Sequence, residues 1–354
     1  MRLPNAIASL VLLSAAASSC GGGGSGSTGP TDSNNPYGLT TTGPGVLSVT
    51  PLDTTTIFAI TPLGSLAPPG HVLPTDHIYI SFVDPWSGQQ QTNDCRARPV
   101  RAAGSGVVTF TLVTEAQGDT KVDIQMTKTF HYYYDHVLLK PGVGVGTHVK
   151  AGDTIATTTG RCPSMDLGVY DFDVVPPGLL NTKRYSGSSL HVVPPLRYFT
   201  EPLRTFLYAH VRLINGVPAD KDGRTDFGVR GTLAGDWFHG SLANDSAGVI
   251  GGPTGWPKSL SFAYDWFSGA PRISIGGTIA AAGIFAIASG DPDPTTVRLS
   301  SGLTVFHGTS VLGVSQAGWV LVQLLSDERI RIEYVADPAS KPMAFTTAAQ
   351  EYVR

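Results

Sequence analysis

"KVDIQMTKTFHYYYDHVLL" at Lys121–Leu139, followed by "GVGVGTHVKAGDTIATTT" at 142–159, is the stretch that decides the fold. β-branched and aromatic residues come in short runs, and Gly, Thr and Asp separate them, which is the composition of strands joined by tight turns. The first piece supplies two strands. The second reads as a turn-rich hairpin that ends in a β-branched run. Upstream, "HIYISF" at His77–Phe82 alternates with period two, as a half-buried strand does. "PVRAAGSGVVTFTLV" at Pro99–Val113 reads as a strand, a Gly-Ser-Gly turn and another strand. The whole chain agrees with a mainly β architecture, because only 14% of residues are charged while Gly (42) and Pro (26) are abundant. The net charge of −3, without a basic cluster, gives no footprint for nucleic acid, and none is expected as a partner.

Downstream, Pro-rich connections at 174–180 and 191–199 lead to the one helix predicted, Glu201–Asn215, "EPLRTFLYAHVRLIN". Pro202 sits in its first turn, and Leu203, Phe206, Leu207, His210, Val211 and Ile214 recur at helical spacing. The polar stretch 216–226, "GVPADKDGRTD", reads as a solvated linker, since it lacks the later ligands of a calcium loop. Beyond it come strand-like runs: "VRGTLAG", "SLSFAYDWF", "PRISIGG", "IFAIA", "TTVRLS", "LTVFHG" and "WVLVQLL" with "RIRIEYV". Their short, turn-punctuated spacing predicts an antiparallel barrel or sandwich over 227–354. "GTLAGDWF" at Gly231–Phe238 resembles the Gly-x-Trp of calycin barrels, which implies that Trp237 closes one barrel end. A hollow barrel would carry a small apolar ligand; Trp237 as a plain core residue is the alternative.

Residues 64–173 resemble the lysostaphin-like (LytM-type) zinc endopeptidases and the wider group that shares their duplicated-hybrid-motif fold. Pro99–Val108 matches the strand-turn-strand P-V-x-A-x-x-x-G-x-V. Tyr133–Leu139 matches the strand with tyrosine, any residue, histidine, leucine. Val143–Arg161 matches the hairpin V-x-x-G-x-x-V-x-x-G-x-x-I. The resemblance implies a β domain over 46–200 and a groove with zinc. Active members hold the metal with a His and an Asp four residues apart and with the second His of a His-x-His pair. Here "MDLGVYDF" puts Asp166-Leu167-Gly168 where His-x-His would stand, so one ligand is lost. In "GHVLPTDHIYI", His71 and Asp76 are five apart and His71 and His77 six, neither of which is the family spacing. His136 alone lines up with a family active-site residue and is the candidate catalytic group.

Two readings of the remaining candidates stay open. His71, Asp76 and His77 are the metal-ligand candidates of a remodelled site, with zinc as its cofactor. Otherwise the imidazoles cap loops and line an inherited groove that needs no cofactor. His131, Tyr134, Asp166 and Asp171 are placed in that groove, and Tyr132 and Tyr133 offer further flat faces to a glycan or peptide. The expected function is therefore a binding or scaffolding module built on an inactive peptidase domain. A zinc-dependent cell-wall peptidase with divergent ligands is the alternative.

The first twenty residues add a location. Arg2 precedes an apolar run from Ala6 to Ala17, too short to span a bilayer, and then small residues lead to Cys20. This resembles a bacterial lipobox, which implies lipidation at Cys20 after removal of a signal peptide at 1–19. The stretch from 20 to 45, beginning "CGGGGSGSTGPTDSNNP", reads as a flexible tether. The expectation is an exported envelope lipoprotein whose partners are a membrane, through the anchor, and peptidoglycan or another envelope polymer. Cys95 and Cys162 are then left in an oxidising compartment, where they could pair.

Overall fold

The structure, a computed structural model, describes residues 37–83, 95–113, 118–159, 163–212, 216, 218–245, 255–310, 318–336 and 340–354. Cys20, most of the tether and Cys162 lie outside the described residues. Cys95 is disulfide-bonded. The tether is shorter than expected, because by residue 41 the chain is already docked. Lys128 N donates to Thr41 O (2.8 Å), and Thr127 Oγ1 donates to Gly43 O (2.7 Å).

Nine strands make the first sheet: β1 (Ala59–Thr61), β2 (Ile78–Ser81), β3 (Pro99–Arg101), β4 (Gly106–Val113), β5 (Thr120–Gln125), β6 (Phe130–Leu139), β7 (His148–Val149), β8 (Thr154–Thr158) and β9 (Ser164–Asp171). They hydrogen-bond in the order β1-β2-β9-β6-β5-β4-β7, with β8 bridging β6 to β3, and every pairing is antiparallel. The motif strands form where the sequence placed them, but their partners differ. β7 and β8 are not a hairpin: β7 pairs β4, while β8 pairs β3 and β6. β3 and β4 likewise diverge after the Gly-Ser-Gly turn.

β6 is buried on both faces, which the run of three tyrosines did not announce. Phe130, Tyr132 and Tyr134 face one core. There Tyr132 Oη donates to Gly104 O (2.8 Å), and Tyr134 Oη donates to Arg101 O (2.9 Å) while accepting from Ala103 N (3.0 Å). These bonds satisfy backbone groups of the β3–β4 connection that would otherwise be orphaned in the core. Tyr133 faces the other way, so none of the three is a solvent-exposed plate.

The helix α1 is shorter than its periodicity predicts, Leu203–His210 with Pro202 as its N-cap. Val211 leaves the helix to bridge Ile60 of β1, and β-pairing outweighs weak helix propensity there.

The second assembly is a closed antiparallel barrel of β10 (Gly235–His239), β11 (Ser259–Tyr264), β12 (Pro271–Ile275), β13 (Gly283–Ile287), β14 (Thr304–Ser310), β15 (Gly318–Ser326), β16 (Arg329–Ala336) and β17 (Gln350–Val353). Each strand pairs its chain neighbour, and β17 closes on β10 through Phe238↔Val353 and His239↔Tyr352. Three details correct the sequence reading. "VRGTLAG" precedes the first strand instead of forming it, "TTVRLS" is a turn and 3-10 segment, and β17 was not anticipated. The interior is packed with Trp237, Phe262, Phe285, Phe306, Val322 and Ile332, all buried, so a hollow carrier barrel finds no support. Trp237 donates Nε1–H to Leu233 O (2.8 Å), with the Arg354 guanidinium 4.3 Å from its ring.

The 216–226 segment is not a solvated linker. Asp222 accepts from Arg197 Nε (2.8 Å) and from Tyr208 Oη, and Asp226 accepts from Gly178 N (3.2 Å). Gly223 bridges Leu63, and a Cβ on Gly223 would lie 2.0 Å from Leu63 O. On Gly178 it would lie 2.0 Å from Asp226 O. Residues 37–354 form one compact unit.

Candidate functional site

Period two puts the chemistry on one face of the sheet. In register, Tyr133 lies opposite Gly168 and Asp135 opposite Asp166, while Tyr79 of β2 pairs Asp166. Because Ile78 pairs Leu167, His77 comes beside Gly168 one residue along. His77, Asp166, Tyr133 and Tyr170 therefore share a face. Tyr134 and Asp171 point to the other, in register with Phe130 and Leu167 side chains, so both leave the predicted groove.

His136 reaches this face by a backbone irregularity. Its φ is +61°, the left-handed region that L residues rarely adopt. At this point β6 changes partner: Phe130–Asp135 pair β9, whereas Val137–Leu139 pair β8. The β5 register slips opposite it, between Thr120 and Val122. Such a bulge re-aims one side chain, and here that side chain is the imidazole.

Two aspartate-held histidines then converge on a third carboxylate. His77 Nδ1 contacts Asp76 Oδ1 at 2.8 Å, and His136 Nδ1 contacts Asp119 Oδ2 at 2.9 Å. Their Nε2 atoms lie 3.3 and 3.6 Å from Asp166 Oδ2, which is buried at 3% exposure. Tyr133 Oη donates to Asp76 Oδ1 (3.1 Å), and its ring stacks on Tyr170 (5.0 Å between centroids) under Lys121 Nζ (3.7 Å). His71 packs edge-on against His77, with centroids 5.3 Å apart.

The charges follow from burial and neighbours. Burial and the nearby His77 push His71 down to about 4, so it is neutral near pH 7. For His77, burial disfavours the cation, but Asp166 and Asp76 outweigh it and the net shift is upward. His136 is likewise raised, with Asp166 and Asp119 overcoming burial. Burial raises Asp166 despite both histidines. For Asp76 burial acts upward too, yet the His77 hydrogen bond and charge hold it well below the carboxylate range.

Of the predicted residues, His71, Asp76, His77, His136 and Asp166 are brought together. His131 is on the same sheet face but is spent on Asp123 (Nδ1 to Oδ1, 2.8 Å) and on the Phe172 ring. Asp119, Tyr79 and Lys121 are members the sequence reading missed. Asp119 immediately precedes β5, outside any motif, and only the β5–β6 pairing shows that it meets His136. Among the described residues, Asp119, Asp135 and His136 place one ligating atom each within 4.8 Å of one another. Beside the site, the 70–76 loop walls a cleft of about 190 Å³ whose other side carries Tyr185, Asp236 and Trp256.

The family's zinc position fails a direct test. A Cβ on Gly168 would lie 1.9 Å from the Tyr133 ring, so the ring occupies the space of the missing ligand's side chain. No zinc can be held from position 168.

The amino-terminal assembly thus resembles a LytM-type peptidase domain whose ligand pattern is broken. Among solved structures, it is similar to Helicobacter pylori Csd3 (20% identity, 47% of this chain and 40% of that one, TM-score 0.30). It is also similar to the catalytic domain of the antimicrobial peptidase lysostaphin from Staphylococcus simulans (18% identity, 33% and 83%, TM-score 0.24). A third likeness is to the SpoIIQ–SpoIIIAH pore-forming complex (11%, 46% and 95%, TM-score 0.30). The chain spans about 40% of the length of Csd3. No family model matches the sequence, and no curated protein does. At such TM-scores the resemblance rests on this chain's own motifs and strand order.

Proposed function

We propose that this protein is an exported, lipid-anchored envelope protein whose LytM-like assembly binds a cell-wall polymer without cleaving it. The observation that carries the reading is the Tyr133 ring lying across Gly168, which removes the peptidase ligand and fills its place. Asp166 stands where an active member has the first histidine of the His-x-His pair, and a buried carboxylate cannot serve as a neutral imidazole does. The cleft between the 70–76 loop and Tyr185, Asp236 and Trp256 is a concave surface lined by aromatic and carboxyl groups, which supports a binding reading.

Incubation of the purified protein with peptidoglycan tests this. Sedimentation with the polymer and no release of soluble peptide fragments is the expected result. Fragment release that disappears in His136→Ala would replace the reading with a divergent peptidase. The anchor is tested separately. Cys20→Ala should move the protein from the membrane to the soluble fraction, since acyl burial, at about 0.8 kcal/mol per methylene, is the retaining force. Unchanged membrane association would refute it.

A further inference from the structure

We propose that the cleft between the 70–76 loop and the barrel holds one sugar ring, so that the wall polymer is recognised through its glycan and not through its peptide. This rests on the polymer-binding reading above and names the part of the polymer that the cleft fits.

The first argument is shape. The loop supplies one wall, with His71, Leu73 and Asp76. The barrel supplies the other, with Asp236 of β10 and with Trp256, which opens the 3-10 turn directly before β11. At about 190 Å³ the space is smaller than the ~300–1,000 Å³ of pockets for larger ligands, so it suits one ring and not an extended segment. The loop also offers no strand edge to a peptide, which would be held by main-chain bonds to such an edge. His71 N donates to Ala67 O (3.0 Å), Ala67 N donates to His71 O (2.9 Å), and Thr75 N donates to Ser65 O (3.0 Å). Those backbone groups are spent inside the loop.

The second argument is the set of unspent hydrogen-bonding groups. Thr225 is only 9% exposed and lines the cleft, and its hydroxyl has no partner among the described residues. Asp76 Oδ1 takes both His77 Nδ1 (2.8 Å) and Tyr133 Oη (3.1 Å), which leaves Oδ2 open. His71, neutral near pH 7, packs its ring edge-on against His77 and Tyr79, and its nitrogens bond nothing among the described residues. A hydroxyl donates and accepts, a carboxylate oxygen accepts, and a neutral imidazole does one with each nitrogen. That mixture matches the hydroxyl rim of a sugar, while Leu73, Leu179 and the partly exposed Trp256 indole match its C–H face.

The third argument is charge. No Lys or Arg lines the cleft, so an anion finds no counter-charge there. The Asp76 carboxylate is answered by His77, and Asp236 by the hydroxyls of Tyr185 and Ser261, so neither is left waiting for a cation. An uncharged ligand is the one that costs no unpaired charge.

The test titrates the full chain by calorimetry with the β-1,4-linked tetramer of N-acetylglucosamine and, separately, with the soluble stem peptide of peptidoglycan. One-to-one saturable binding of the tetramer and none of the peptide is expected, with a change in tryptophan fluorescence on tetramer binding. Trp256→Ala should weaken binding by roughly tenfold or more and abolish the fluorescence change. Thr225→Val, which keeps the shape and deletes the hydroxyl, should weaken it by about 2–10-fold. Near-ultraviolet circular dichroism checks the folding of each variant, and if Trp256→Ala does not fold, Thr225→Val carries the test. Absence of tetramer binding by the wild type would overturn the proposal, as would binding that neither variant weakens or binding of the peptide alone. Sedimentation with whole peptidoglycan in the absence of tetramer binding would sink this inference and leave the polymer reading standing. Tetramer binding without sedimentation would do the reverse.

Discussion

Asp236 projects from the outer face of β10, where Ser261 Oγ donates to Oδ1 (2.7 Å) and Tyr185 Oη to Oδ2 (2.8 Å). Burial outweighs both bonds and lifts its pKa from 3.8 to about 6. The folded state therefore holds this proton more tightly than the unfolded chain does. Its stabilising effect is complete below about 3.8 and is lost as pH rises through about 6, a loss of roughly 3 kcal/mol. Asp236→Asn, which carries no charge to bury, should remove that part of the pH dependence. Urea denaturation at pH 4 and pH 7 measures it, and an unchanged difference between the two pH values in the variant would contradict the account. Gly168 supports a second prediction at this scale. Gly168→Ala forces a Cβ into the Tyr133 ring and should destabilise by about 1–3 kcal/mol. Shrinking the ring in Tyr133→Leu should make the double variant lose less than the sum of the two, and strict additivity would show that the contact relaxes freely.

Strand β6 shows what periodicity conveys and what it omits. Its existence was legible, because ten residues rich in tyrosine and other large apolar side chains between turn-formers have few alternatives. Its burial on both faces was not, since alternation of like residues gives no contrast to read. Tyr134 illustrates the point: it looked like a groove residue and proves to be the partner of Arg101 O and Ala103 N. Tyr134→Phe should cost about 1–3 kcal/mol by leaving those backbone groups unsatisfied, as denaturation would register. An unchanged midpoint would mean that they find other partners. The candidate site was half legible for the same reason. His77, His136 and Asp166 stood in or beside motif strands, whereas Asp119 reaches His136 only because β5 and β6 pair with a slip that no local pattern encodes. Pairing is a long-range choice, which is also why β7 and β8 looked like a hairpin and are not one.

At the scale of the whole molecule, the segment between the sheet and the barrel is the unexpected part. Polar composition at 216–226 suggested a free linker, yet Gly223 lies in backbone-to-backbone contact with Leu63, and Asp226 with Gly178. Leu66, from the sheet side, packs with Ala263 and Ile284 on the outside of the barrel. No side chain spaces the chains at Gly223 and Gly178, so these crossings tolerate neither insertion nor substitution, and the two assemblies are seated on each other through them. Covalent continuity is then not what keeps the halves together. If a protease site were introduced at Lys221 and cut, the fragments should elute as one particle on gel filtration, with the scattering envelope of the intact chain, and should part only in denaturant. Two separate peaks under native conditions would show that the seam is held by the chain alone.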